Sequence, residues 1–98
     1  MTIFPSDIER YKKEDKALYK EFQSFDFPDD FYGYVRAFYR KKYKYLLNPT
    51  PDNRLPMLVA YQTVHSDLKG FQVRHFFSME QLHAYASRLQ TGLGDLDD

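Results

Sequence analysis

Three histidines, two adjacent aspartates and a row of cations set among aromatic rings are the side chains of this sequence whose types and spacing bear on chemistry. Imidazoles ligate metals and shuttle protons near neutral pH. On the β-hairpin expected for residues 57–77, His65 and His75 lie diagonally on one face with Asp67 nearby, and His83 stands on a separate helix. Diagonal neighbours sit roughly 7–8 Å apart, too far to share a zinc ion unless long side chains reach in. The sequence has no His-x-x-x-His pair and no compact acidic ligand set, so neither a metal nor a cofactor is expected. Asp29 and Asp30 have the form of paired carboxylates for general acid–base work. Their place directly after Pro28 suits the positive end of a helix dipole instead. Ser6 and Ser78 read as helix caps, not nucleophiles, and Gly33 and Gly70 are too isolated to form a phosphate loop. With no catalytic constellation left, the chain is not expected to be an enzyme.

Residues 31–46, Phe-Tyr-Gly-Tyr-Val-Arg-Ala-Phe-Tyr-Arg-Lys-Lys-Tyr-Lys-Tyr-Leu, interleave rings with basic side chains and contain no acid. Arg36, Arg40 and Lys44 are spaced i, i+4, i+8 and form one stripe of a helix. Tyr32 and Tyr43 border the stripe on one side and Lys41 on the other. Rings supply apolar area and stacking faces, and the cations supply donors and charge. These six residues are the expected binding site for a larger macromolecular partner. A protein partner is favoured, because Arg and Tyr are enriched at interfaces. Nucleic acid is the alternative: cations one turn apart track a phosphate backbone. A bundle feeding a hairpin resembles a winged helix-turn-helix, with residues 29–47 as its basic–aromatic helix. Against that stand the length of both helices and a break that is not a tight Gly-bearing turn. The plain structural reading is a solvated helix face whose long stems cover apolar surface.

Charge over the whole chain bears on the same choice. Lys+Arg and Asp+Glu are both 14, a formal net charge of zero, which argues against a protein whose entire body binds nucleic acid. Residues 10–44 hold ten basic and six acidic side chains, whereas residues 45–98 hold four and six, ending in Asp95, Asp97 and Asp98. The absence of cysteine excludes disulfides, thiolate zinc sites and cysteine nucleophiles, and favours a cytoplasmic setting. The opening Met-Thr-Ile-Phe-Pro-Ser-Asp lacks the basic start and apolar run of a signal peptide. No stretch approaches the roughly 18 apolar residues of a membrane span.

The elements that must position these groups follow from spacing and caps. The 98 residues form a single expected domain, 1–98, with an acidic, frayed tail at 94–98. A first helix over residues 6–24 starts at a capping box of Ser6 and Glu9. It aligns Ile8, Tyr11, Leu18, Tyr19, Phe22 and Phe25, with Asp15 at the edge of that stripe. A second helix over residues 29–47 turns Phe31, Val35, Phe38, Tyr45 and Leu46 inward. The proline-rich segment 48–56 reads as a loop. Residues 57–65 and 71–77 then read as strands joined by Ser66-Asp-Leu-Lys-Gly70, a type I turn with a glycine bulge. The hairpin face bearing Val59, Tyr61, His65, Phe71, Val73, His75 and Phe77 meets the helices. A last helix starts at a second capping box, Ser78 and Gln81, and ends at Thr91-Gly92-Leu93 in a Schellman-type turn. The expected fold is thus α+β, helix–helix–β-hairpin–helix. Its eighteen large rings and its open hairpin edge point to a homodimer.

Overall fold

Apolar side chains three and four positions apart order nearly the whole described chain into helix. The computed structural model describes the backbone of residues 5–75 and 77–93, and the side chains of residues 7–72 and 77–93. Helix α1 spans Pro5–Gln23, α2 Asp29–Leu47, α3 Pro51–His75 and α4 Met79–Leu89. No strand occurs among the described residues, so the expected α+β architecture is corrected to an all-helical one.

The correction lies in α3, which runs through the segment read as loop, strand, turn and strand. Its start is well signalled. Thr50 Oγ1 accepts the Asn53 N–H at 3.3 Å, Pro51 takes the first helical position and Asp52 lies in the first turn. Met57, Tyr61, Val64, Leu68 and Phe71 follow at intervals of four and three, and all five are buried. Val59, expected on the core face of a hairpin, is 56% exposed. Gly70 sits within the helix rather than in a bulge, with open space where a Cβ would stand. Pro56 is inside the same helix, so the connection after α2 shortens to residues 48–50. The expected packing of Val73 and His75 falls on side chains outside the described residues, as does the acidic tail.

The other boundaries follow the sequence closely. α1 begins at Pro5, so Ser6 lies inside the helix, and the proposed Ser6 cap falls on a side chain outside the described residues. At α4 the capping box is present: Ser78 Oγ accepts the Gln81 N–H at 3.1 Å and Gln81 Oε1 accepts the Ser78 N–H at 2.9 Å. After α4, Gly92 adopts φ +88°, and Leu93 N–H bonds to Gln90 O at 2.8 Å in a turn tighter than a Schellman closure. A Cβ at Gly92 would stand 2.8 Å from the Tyr11 ring, so this turn lies directly against α1.

Packing is up-and-down. Phe38 meets Tyr61 and Phe31 meets Phe71, which makes α2 and α3 an antiparallel pair across their short connection. Phe22 meets both Phe31 of α2 and Tyr85 of α4, at 5.3 Å each and edge-on, so α1 closes a four-helix bundle. Gln72 bonds Phe77 O, and Gln90 bonds the Tyr61 hydroxyl, setting α4 against α3. Phe27 and Phe31 both meet Phe71, so the α1–α2 end of the core is filled largely by rings.

Candidate functional site

Two charges lie where the helical pattern calls for apolar side chains. Asp15 falls within the stripe of Ile8, Leu18 and Phe22 on α1; Lys42 falls between Phe38 and Leu46 on α2. Both are buried, at 1% and 0% exposure, and they pair at 2.7 Å. Asp15 therefore sits inside its stripe, not at the edge that its spacing suggested.

Neighbouring groups complete this cluster. Tyr43 donates its hydroxyl to Asp15 Oδ2 at 2.5 Å, and Tyr39 donates to the Asp15 backbone carbonyl at 3.3 Å. Lys42 Nζ also donates to the carbonyl of Leu89 at 3.3 Å, placing a cation at the negative end of α4. The rings of Phe38, Tyr39 and Tyr43 lie 5.5–6.0 Å from the same ammonium. Burial pushes the Asp15 carboxyl above its ordinary range, against the opposing pull of Lys42, and pushes the Lys42 ammonium below its own. The Tyr39 and Tyr43 hydroxyls are raised far above the usual phenol range, by burial first and by Asp15 second, and stay protonated. This cluster ties α1 to α2 and α4. Its amine and carboxylate face each other rather than solvent.

Beside the cluster, α1 and α2 leave a groove of about 480 Å³. Lys12, Lys13, Lys16 and Tyr19 form its α1 wall; Arg36, Tyr39 and Tyr43 form its α2 wall. Two contacts span it. Arg36 donates to the Tyr19 hydroxyl at 2.6 Å, and Lys12 Nζ stands 5.5 Å from the centre of the Tyr43 ring. A second hollow, of about 680 Å³, continues along α2 past Gly33 and Arg40. A third, of about 420 Å³, opens at the α1–α2 turn beside Tyr32 and Asp26. Arg36 borders all three.

The residues singled out from sequence divide accordingly. Arg36, Arg40, Lys41 and Lys44 are all exposed. Arg36 and Arg40 border the grooves, whereas Lys41 and Lys44 border none of the three. Tyr32 and Tyr43 offer rings to the hollows, but their hydroxyls are engaged within the fold. Tyr32 accepts the Phe27 N–H at 3.1 Å and donates to Phe22 O at 3.0 Å, closing the α1–α2 turn. Sequence reasoning missed Lys42, and it did not join the α1 lysines to the α2 cations. The available signal was a pair of opposite charges, each inside an apolar stripe of neighbouring helices.

The two histidine side chains among the described residues have separate surroundings. His65 stacks on Tyr61 within α3, with ring centres 5.7 Å apart, and His83 is exposed on α4. His75 lies ten residues beyond His65 on one helix, a rise of about 15 Å, which replaces the diagonal hairpin placement. Among the described residues no group of three or more His, Asp or Glu could hold a metal ion. No helix among them is long and apolar enough to cross a membrane. Comparison with protein-family models, with curated proteins and with solved structures returns no match.

Proposed function

We propose that the protein is a non-enzymatic, cytosolic interaction module that binds a macromolecular partner through the basic–aromatic side of α2. One observation carries this reading: Arg36, Arg40, Lys41 and Lys44 are exposed together and form no ion pair with an acid among the described residues. Such a row holds charge available for a partner. A protein partner is favoured over nucleic acid because Tyr19, Tyr39 and Tyr43 line a concave, ring-walled groove beside the row. The winged-helix form of the nucleic-acid alternative loses its wing, since the segment read as a hairpin is α3. Homodimerisation belongs to the proposal as well. Its support is now the exposed pair Leu55 and Val59 on α3 rather than a hairpin edge, and sedimentation tests it.

The test of binding is capture from native lysate, with and without nuclease, by the wild type and by the triple variant Arg36→Glu, Arg40→Glu, Lys44→Glu. These positions are exposed, so the fold survives the change. A nuclease-resistant partner held by the wild type and lost by the folded variant is expected. Equal capture by both contradicts the proposal, and a partner that disappears with nuclease favours the nucleic-acid alternative.

A further inference from the structure

We infer that the partner segment is an acidic peptide with apolar anchors, and that it lies in the α1–α2 groove and is gripped from both walls. This rests on the interaction reading and extends it to α1, whose lysines that reading does not use. Charge complementarity names the ligand. Lys12, Lys13 and Lys16 stand along one rim and Arg36 along the other, with Arg40 beside the hollow that continues along α2. None of the five forms an ion pair with an acid among the described residues. The acids at the groove are Glu9 and Asp15, and Asp15 is already held by Lys42 and Tyr43. Four uncompensated cations line the groove and Arg40 stands just beyond it, against one uncompensated carboxylate, a balance that favours a ligand rich in carboxylates.

The groove walls name the anchors. The hydroxyls of Tyr39 and Tyr43 donate to Asp15, whereas that of Tyr19 accepts from Arg36 and keeps its own O–H, so the walls offer ring surface with a phenol donor left at Tyr19. Ring surface suits aliphatic or aromatic side chains. A cavity of about 480 Å³ between two helices is the shape into which a helix or extended peptide sets a few side chains. Single-stranded nucleic acid also stacks bases on such rings, so oligothymidylate is the competitor that discriminates; the chain's formal net charge of zero weighs against it.

Fluorescence anisotropy tests this. The probe is a fluorescein-labelled peptide of glutamates with leucines at helical spacing; controls are the same peptide with serines for leucines, and labelled oligothymidylate. The wild type is compared with the α1 variant Lys12→Glu, Lys13→Glu, Lys16→Glu and with the α2 triple variant, each checked for unchanged helicity. The Glu/Leu peptide is expected to bind the wild type, and each variant to weaken it by about tenfold or more. The serine peptide is expected to bind more weakly, and oligothymidylate not to compete. If reversal unsettles α1, Lys→Gln at the same three positions gives a smaller loss of the same sign. Binding that survives the α1 change but not the α2 change overturns the two-walled groove and leaves the interaction reading standing. Absence of peptide binding to the wild type, or displacement by oligothymidylate, overturns the peptide assignment. The α2 variant in lysate capture still judges the broader reading by itself.

Discussion

Lys42 stands where the spacing of Phe31, Val35, Phe38 and Leu46 calls for an apolar residue, and Asp15 does the same on α1. Two charges at 0% and 1% exposure lose most of their hydration, and their mutual attraction has to offset that loss. Removing one partner leaves the other charged and buried. Asp15→Ala or Lys42→Ala is therefore expected to cost about 3–5 kcal/mol by denaturant unfolding. The double change Asp15→Leu, Lys42→Met removes both penalties and is expected to be neutral or stabilising by up to about 4 kcal/mol. A double variant as damaged as the singles would contradict this balance. Both pKa directions agree with it. A carboxyl raised in the folded state contributes stability below its ordinary value of 3.8 and loses it as pH rises through the folded value. An ammonium lowered from 10.5 contributes above that value and loses the contribution as pH falls through the folded one. The two contributions run in opposite directions: the advantage of the Leu/Met double over wild type should grow as pH falls from 10.5 and Lys42 takes up its proton, and shrink again as pH falls toward 3.8 and Asp15 takes up its own. Unfolding curves at stepped pH measure it; an advantage independent of pH would contradict both directions. Asp15 was legible as a stripe residue in the sequence. Its depth was not, because the compensating charge sits in another helix and was read as part of a basic run.

At the scale of elements, the helices with terminal signals were legible and the one crowded with competing signals was not. α2 matches its expected bounds, and α1 and α4 match theirs to within a residue or two, because acids, a capping box and breaker residues mark their ends. In α3 the apolar residues spread round the helix: Leu55 is 65% exposed and Val59 56%, beside the buried Met57 and Tyr61. That spread mimics strand alternation, and Pro56 and Gly70 read as breakers. The decisive pattern was the spacing of Met57, Tyr61, Val64, Leu68 and Phe71, together with the Thr50-Pro51-Asp52 start. Gly70 separates the two pictures. In a helix with open space at its Cβ position, Gly70→Ala should stabilise by about 0.5–1 kcal/mol. In a glycine bulge the same change would destabilise, so a lowered unfolding midpoint would contradict α3. Ser78→Ala, which removes half of the α4 capping box, should cost about 1 kcal/mol in the same assay.

Across the whole molecule, the long axis of 39 Å matches the roughly 37 Å that a 25-residue helix spans, so α3 sets the length against which the other helices pack. The basic excess of residues 10–44 becomes a feature of space because α1 and α2 are antiparallel neighbours. Lys12 reaches over Tyr43, and Arg36 reaches Tyr19. Of the six-residue site expected from α2 alone, Arg36 and Tyr43 thereby join one wall of the α1–α2 groove, and Arg40 borders the hollow that continues it. The other wall was hidden in the sequence by the acids Glu9, Glu14 and Asp15, which alternate with its lysines along the chain. Amide shift mapping of nitrogen-15-labelled protein, titrated with the Glu/Leu peptide, tests the groove most directly. Perturbations should gather in residues 12–19 and 36–43, while the exposed side of α3 around Leu55 and Val59 stays still. Perturbations centred on α3 or α4, or none at saturating peptide, would contradict the groove as the binding site.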